Sequence, residues 1–248
     1  QTSEEFEVGF KYDENGLNLN ASIYSMDTKN EIRYVPSFNN TNLDPIKRDG
    51  LDIDFDFKSN EHLSFNGSFS YVDARFTSGS LSLGTGLASY MSGGTRIYYV
   101  TGNQTYGYNS TVAQTYLGSD GTSLNQTYSL AGNKVPLVAE ITYSLGMEYE
   151  VNNDITGTLG MSFVDERFVS NDQENIEPVI PSYYVFDAQL ESNASDKYSW
   201  SAGVNNLLNE KYYDFAVAST FHSDGYLGVQ AVYPLAERNM FVNFSYNF

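Results

Sequence analysis

Side chains suited to molecular recognition are concentrated between residues 77 and 136, where tyrosines stand among Gly, Ser, Thr, Asn and Gln. A tyrosine ring offers a rigid amphipathic surface, and small polar neighbours offer adaptable hydrogen bonds, as in antibody loops. Arg96 adds a cation for an anionic ligand. The candidate ligand-binding residues here are Arg96, Tyr98, Tyr99, Tyr106, Tyr108 and Tyr116. The alternative is that these tyrosines pack the segment against its neighbours or extend a hairpin.

A second candidate pair, Phe221 and His222, lies in another polar connection, at about residues 215–236. The same packing alternative applies to it. Elsewhere, Asp52, Asp54 and Asp56 alternate with apolar residues and so share one face of an extended segment. This acidic row either binds cations or lines a hydrated wall. Glu166 and Arg167, which are adjacent, suggest an ion pair rather than a ligand clamp.

The residue types give little support for catalysis or for a bound metal ion. The chain has 2 histidines and no cysteine, and no acidic loop has the spacing of an EF-hand. A hydrolase needs a nucleophile, a base and an orienting group held together, whereas His62 and His222 are predicted at opposite rims. We therefore predict no catalytic residue, no metal site and no cofactor. A net charge of −18 also argues against a nucleic-acid partner.

The elements that position these residues are β-strands, because apolar and polar residues alternate with period two in nine segments. In the last segment Met240, Val242, Phe244, Tyr246 and Phe248 share one face, and the other face is mostly small and polar. No segment shows comparable helical spacing. The predicted strands cover residues 3–13, 16–28, 48–58, 62–75, 137–150, 155–168, 182–193, 197–212 and 236–248.

The connections between these strands alternate in length. Tight turns rich in Asn, Asp and Gly fall at about residues 13–16, 59–61, 152–154 and 193–196, and long connections separate them. Short turns on one side and long loops on the other are typical of bacterial outer-membrane barrels, with the short turns in the periplasm. A soluble β-sandwich is the alternative. Strands of about nine residues or more, which are long enough to cross a bilayer, and a Ser/Thr/Asn/Gly face disfavour the sandwich.

The strand count is itself informative. Single-chain bacterial barrels have an even number of strands, and an open wall of nine strands would leave unpaired edges in lipid. We therefore expect this chain to be part of a larger barrel whose beginning lies elsewhere. A hairpin within residues 77–136 would change the count by two and leave it odd.

Four stretches, in order, resemble TonB-dependent outer-membrane receptors. Residues 200–213, with the sequence WSAGVNNLLNEKYY, resemble the penultimate strand of those receptors. Residues 42–53 resemble a loop-to-strand entry, residues 69–76 the next upward strand, and residues 233–248 the barrel ending with its terminal aromatic residue. Arg238 matches an arginine before the last strand, although Ala236 and Glu237 stand where many siderophore receptors have Pro-Gly.

The resemblance implies an all-β, antiparallel up-and-down barrel of 22 strands, of which residues 1–248 would form the C-terminal nine, with residues 77–136 as a long extracellular loop. It also implies active import of a scarce nutrient, most often a ferric siderophore, energised by TonB through an N-terminal part not present here. The acidic row would then face basic residues of a plug, and Arg238 joins the candidate ligand contacts. The implied partners are outer-membrane lipid, TonB and a small-molecule iron chelate. A passive porin and a structural or adhesive barrel are the alternatives.

Overall fold

The structure, a computed structural model, describes residues 1–33, 41–82, 87–92, 95–100, 127–170, 172–173, 175, 178–192, 197–218 and 230–246. Regular structure in these residues consists of β-strands alone. No helix among them is long and apolar enough to cross a membrane, a finding that has no bearing on crossing by strands. The all-β prediction is confirmed.

One antiparallel sheet of nine strands dominates the fold. Its strands follow one another along the chain, so each pairs with its neighbours in sequence and the sheet is a meander. In order they are β1 (Thr2–Glu14), β2 (Leu17–Lys29), β5 (Ile46–Lys58), β6 (Leu63–Phe76), β11 (Ile141–Asn152), β12 (Ile155–Val164), β13 (Tyr183–Ser192), β14 (Tyr198–Asn205) and β17 (Asn239–Tyr246). The nine predicted strands are all present, and the sheet is not closed, with β1 and β17 at its edges.

The pairing register places most apolar residues of the nine strands on one face. In one cross-strand row, Val8 pairs with Ile23 and Ile23 with Leu51. At the other edge Val204 pairs with Met240, and Ala202 with Val242. This face lies open, with Met240 75% and Val242 78% exposed. Large apolar side chains left open across a whole sheet require an apolar surrounding, which a bilayer provides.

A two-residue turn joins β1 to β2. Asn15 and Gly16 have φ values of 54° and 77°, as both central residues of a type I′ hairpin turn require. A Cβ atom on Gly16 would stand 2.8 Å from the carbonyl oxygen of Lys58, and the Lys58 amide donates to the Gly16 carbonyl oxygen at 2.8 Å. A glycine at position 16 therefore permits both the conformation of the turn and its close contact with β5.

Two predicted strands end earlier in the structure than the alternation suggested. The strand expected over residues 197–212 ends at Asn205, because Asn206 and Asn209 adopt φ values of 52° and 58° that break the extended chain. The strand expected over residues 155–168 ends at Val164, and its continuation forms an isolated bridge between Arg167 and Ile180.

Four two-stranded sheets occupy the long connections. They pair β3 (Ile32–Arg33) with β4 (Thr41–Asn42), β7 (Ser80–Ser82) with β10 (Thr127–Ser129), β8 (Leu87–Ser92) with β9 (Thr95–Val100), and β15 (Tyr213–Ala218) with β16 (Gln230–Pro234). Residues 77–136 thus contain a hairpin, β8–β9, but this hairpin stands outside the nine-stranded sheet. The number of wall strands is unchanged.

Buried apolar residues gather at the loop ends of the strands. One cluster joins Ile46, Ala74, Phe76, Leu130 and Val135. A second joins Val169, Ile180 and Ala216 with the partly buried Leu137 and Tyr213. Because a barrel wall offers its apolar face to lipid, a conventional core forms only where several loop ends fold over one another.

Candidate functional site

The face opposite the apolar one is a polar wall. Asp52 pairs with Ser22 and Ser70, and the rows of Asp54 and Asp56 continue with Ser, Asn and further polar residues on β2 and β6. Farther along the sheet, Ser68 and Ser144 share a hydrogen bond of 2.7 Å. The predicted acidic row is therefore part of a hydroxyl-, amide- and carboxylate-lined surface, as expected of a barrel lumen.

A depression of about 550 Å³ lies in this wall. Gly146 and Gly160 pair directly at its floor, where neither contributes a side chain. The side-chain oxygen of Asn66 lies over Gly146, whereas a Cβ on Gly160 would meet nothing within 4 Å. Asp56 and Asp187 line the depression with carboxylates. It can accept hydrogen-bond donors or cations from a group that enters the lumen.

Ion pairs stabilise the loop ends of the strands. Arg48 donates to Glu31 at 2.8 Å and to the buried Thr28 hydroxyl at 3.2 Å, which ties β5 to the end of β2. Lys134 reaches Glu140 at 2.8 Å. Arg75 contacts Asp73 through Nε at 2.7 Å. These pairs set charged groups of both signs at the predicted extracellular rim.

The loop ends of neighbouring hairpins are interlocked. The side-chain amide of Asn175 donates to the Lys134 carbonyl at 3.0 Å, and its oxygen accepts from the Lys134 amide at 2.6 Å. Nearby, the amide of Ser170 donates to the carbonyl of Ala216 at 2.8 Å, within a parallel bridge to Val217. We call the joined segments 130–138, 165–170 with 172–173, 175 and 178–180, and 206–218 the interlocked rim.

Arg167 connects two parts of the interlocked rim. Its side chain is buried, and one guanidinium nitrogen donates to the Asp214 carbonyl at 2.5 Å. Its guanidinium carbon lies 5.8 Å from the centre of the Tyr183 ring, within range of a cation–π contact. No ion pair between described residues includes Arg167, so the predicted pairing with Glu166 is not found there. The Arg167 guanidinium instead donates hydrogen bonds to backbone carbonyl oxygens.

Tyr183 and Tyr212 extend this cluster toward β14. Their ring centroids are 4.5 Å apart with the planes tilted by 42°. Burial, supported by Tyr183, Asp187 and Asp214, raises the pKa of the Tyr212 phenol above its ordinary value. The phenol therefore keeps its proton, and its hydrogen-bond donor, to higher pH than an exposed tyrosine.

Asn206 organises the turn that follows β14. Its backbone amide donates to Asp187 at 2.8 Å, and its side-chain amide donates to the carbonyls of Glu210 at 2.8 Å and Ala236 at 3.3 Å. Its side-chain oxygen accepts from the Glu210 amide at 2.7 Å. The residue is 3% exposed. One residue thus joins β13, the turn and the segment that leads into β17.

Comparison with known proteins decides the family. The family described as TonB dependent receptor-like, beta-barrel matches residues 1–207, which is most of the chain. The chain belongs to the TonB-dependent receptor family. This finding confirms the resemblance seen in the sequence motifs. Receptors of this family lie in the bacterial outer membrane, which agrees with the open apolar face of the sheet.

Individual relatives are similar but distant. The protein named "Probable TonB-dependent siderophore receptor PiuA" from Acinetobacter baumannii is 23% identical over 226 residues, which is 90% of this chain and 25% of that protein. The crystal structure of PiuA superposes with a TM-score of 0.63 and 18% identity over 98% of this chain and 28% of that one.

Two further structures share the fold. The ferric yersiniabactin uptake receptor FyuA from Yersinia pestis has a TM-score of 0.67 at 13% identity, over 99% of this chain and 30% of that one. The copper transporter OprC has a TM-score of 0.61 at 14% identity, over 99% of this chain and 31% of that one. The receptor chain therefore spans about a quarter to a third of these proteins.

The predicted ligand-contact residues fall into three groups. Arg96, Tyr98 and Tyr99 lie on β9, whose backbone pairs with β8. Arg238 lies just before β17, where its amide donates to the Asn209 side chain at 2.9 Å and its guanidinium to the Leu207 carbonyl at 3.5 Å. The third group lies outside the described residues and comprises Tyr106, Tyr108, Tyr116, Phe221 and His222.

Sequence reasoning missed Asn175 and Asn206, which hold the interlocked rim, and gave Arg167 an ion pair where the structure shows a hydrogen bond to the Asp214 carbonyl. The positive φ values of Asn175 and Asn206, at 56° and 52°, are typical of asparagine, and Asn206 lay inside a recognised motif. Nothing in the strand pattern indicated that Asn206 would bond to β13, the turn and the segment before β17. His62 lies where expected, beside the tight turn before β6, with Nδ1 3.3 Å from Glu150. No cluster of metal-ligating side chains occurs among the described residues.

Proposed function

We propose that the complete receptor imports a scarce nutrient, a ferric siderophore, across the outer membrane with energy coupled through TonB. The observation that carries this proposal is the combination of family membership with a wall that is apolar outside and polar inside. In this proposal residues 1–248 form the C-terminal portion of the barrel. Residues 77–136 form a long extracellular loop, and TonB contacts an N-terminal part of the protein.

The cargo class rests on the relatives. PiuA is named as a siderophore receptor and FyuA as a ferric yersiniabactin uptake receptor. OprC, with the same fold, is titled a copper transporter. These proteins share the fold of the wall, so we propose that side chains on the extracellular loops select the cargo. We propose Arg96, the loop tyrosines, Phe221 and His222 for that role.

The proposed work of the wall is binding and enclosure rather than bond chemistry. The depression over Gly160 presents carboxylates and amides, which suit cationic or donor groups that move through the lumen. The family that the chain matches is one of receptors, and His62 stands beside a tight turn at the end opposite the interlocked rim. We accordingly assign no catalytic step to the receptor.

Growth under iron limitation tests the proposal directly. A strain that lacks the gene is grown with one ferric siderophore at a time, with and without the complete receptor restored. We expect the receptor to restore growth on a small set of siderophores, and only while TonB is present. Equal uptake with and without the gene on every siderophore would contradict the iron-chelate assignment.

The passive channel makes a different prediction. An open porin conducts ions in planar bilayers and needs no TonB, whereas a transporter of this family is expected to be closed by its plug. Steady conductance of the complete receptor, together with uptake that survives loss of TonB, would favour the porin. A receptor that neither conducts nor transports would favour the structural or adhesive alternative.

A further inference from the structure

Leu137 has a backbone conformation that leucine rarely adopts. Its φ is 64°, and the other positive-φ positions among the described residues are all asparagine or glycine. The Val138 amide donates to the Val135 carbonyl oxygen at 3.4 Å and closes a four-residue turn whose second residue is Pro136. Proline second and a positive φ third are features of a type II turn, which favours glycine at the third position. The left-handed φ of Leu137 is strained, because the Cβ of an L-residue there crowds a carbonyl oxygen.

The interlocked rim holds Leu137 in this conformation. The Leu137 amide donates to the Phe168 carbonyl oxygen at 2.9 Å. Its half-buried side chain packs against the cluster of Val169, Ile180 and Ala216, which are each 0% exposed. Leu137 comes from the first rim segment in chain order, and the other three residues come from the middle and last segments. One apolar cluster thus joins all three segments and maintains the strain, a combination that is common at switch regions.

The middle segment of the rim is hydrogen-bonded on both sides. Toward the first segment, the Asn133 side-chain amide donates to the Gln173 carbonyl oxygen at 2.8 Å, and Asn175 makes two further bonds. Toward the last segment, the donors are the Arg167 guanidinium and the Ser170 amide. Separation on either side would expose the apolar cluster that all three segments share. The cost of opening is therefore common to the three, as it is in a cooperative unit of local unfolding.

We propose that the interlocked rim is a two-state device at the mouth of the barrel, in which the three segments open and close as one unit. Burial of the shared cluster favours the closed state. The strain at Leu137 favours the open state, because its backbone returns to an ordinary conformation when the segments separate. A ligand that contacts any one segment in the closed state therefore stabilises all three. The inference rests on contacts within the rim and is independent of the proposed cargo.

Hydrogen–deuterium exchange of the complete receptor in detergent, followed by mass spectrometry, tests the common opening. Asn175→Gly removes the side-chain bonds to Lys134 and accepts the φ of 56°. The loss of these bonds predicts about tenfold faster amide exchange in the first two segments. We expect the same acceleration in residues 206–218, although no hydrogen bond between described residues joins Asn175 to that segment. The matched control, Asn60→Gly, removes an asparagine side-chain bond at a tight turn of the opposite end and should act only there.

Two substitutions at one position test the strain. Leu137→Ala and Leu137→Gly both remove the apolar side chain, but only glycine accepts the positive φ without strain. Relief of the strain, partly offset by the greater freedom of glycine in the open state, predicts about threefold slower exchange across the rim in Leu137→Gly than in Leu137→Ala. Equal exchange in the two variants would show that the Leu137 backbone does not favour opening, and would overturn that part of the proposal.

A disulfide across the rim tests the unit from the closed side. Ser170 and Val217 form a parallel bridge between the middle and last segments, and this chain has no cysteine of its own. In the double variant Ser170→Cys with Val217→Cys, oxidation should slow exchange severalfold in residues 130–138, which the disulfide does not contact, and reduction should reverse the change. Effects confined to the segments that carry or directly contact the substituted residues, here and in Asn175→Gly, would overturn the proposal, since they would show loop ends that open independently.

Discussion

Asn206 holds the turn after β14 through its backbone amide and both polar atoms of its side chain. Buried polar groups that lose their partners cost ~1–3 kcal/mol, and a left-handed φ adds ~1 kcal/mol for a residue such as alanine. We therefore expect Asn206→Ala to lower the free energy of unfolding of the complete receptor by about 2–4 kcal/mol, the sum of those two terms.

The measurement is urea unfolding of the receptor folded in detergent, followed by intrinsic fluorescence. Asn206→Gly separates the two causes, because glycine accepts the φ of 52° but makes no side-chain hydrogen bond. It should lie between wild type and Asn206→Ala. A glycine variant as unstable as the alanine variant would assign the whole effect to the hydrogen bonds.

A second prediction at the level of a single residue concerns Arg167. The Arg167 guanidinium donates a hydrogen bond to the Asp214 carbonyl at the start of β15. Arg167→Met keeps the aliphatic part of the side chain and loses that hydrogen bond. We expect faster protease cleavage within residues 213–234 and little change in the barrel itself. Limited proteolysis with mass spectrometry locates the cuts, and Lys11→Met on the polar wall is the control. An unchanged cleavage pattern would show that the apolar cluster around Ala216 suffices.

Two elements, β11 and β12, meet at a pair of glycines that shape the lumen. Because a Cβ on Gly160 meets nothing within 4 Å, Gly160→Leu should fold and assemble while it fills the depression. We expect uptake by the complete receptor to fall severalfold with normal amounts of heat-resistant barrel on gels. Gly9→Leu adds the same side chain to the same polar face outside the depression. If both variants transport normally, the depression has no part in passage.

The hairpin of β1 and β2 depends on its turn. Gly16→Ala places a side chain at a φ of 77° and against the Lys58 carbonyl oxygen. The left-handed conformation alone costs roughly 1–2 kcal/mol, so refolding into detergent should give a lower yield. Asn15→Gly, which accepts the positive φ at the neighbouring position, should refold normally. Equal yields for all three proteins would indicate that β2 and β5 position the turn without help from Gly16.

At the scale of the whole molecule, the two faces of the sheet meet different surroundings. Val242 and Asn243 are adjacent on β17, and the register puts Val242 with the apolar row and Asn243 beside Ser201 on the polar wall. Arginine facing the bilayer midplane costs about 2–4 kcal/mol. Val242 lies between the midplane and the interface, so Val242→Arg should destabilise the receptor in liposomes by about 1–2 kcal/mol, whereas Asn243→Arg should cost about 0.5 kcal/mol. Equal costs would argue against a membrane-facing apolar side.

The strand number, the two faces of the wall and the family were predictable from the sequence. Side chains alternate by local backbone geometry, so Met240, Val242 and Phe244 reveal their common face without knowledge of any neighbour. The alternation of short turns and long connections indicated which strand ends lie together. Strand ends were less predictable, because the stop at Asn205 depends on how Asn206 bonds to β13 and to Ala236.

Only the tertiary structure showed which residues contact one another between the loop ends and on the outer face. Asn175 reaches Lys134 across 41 residues, and Arg167 reaches Asp214 across 47. On the outer face, the register sets Ala188 beside Val204 and Leu190 beside Ala202 on adjacent strands. These contacts depend on distant segments meeting in one register, and a local pattern encodes the face of each residue but not its neighbour across the sheet.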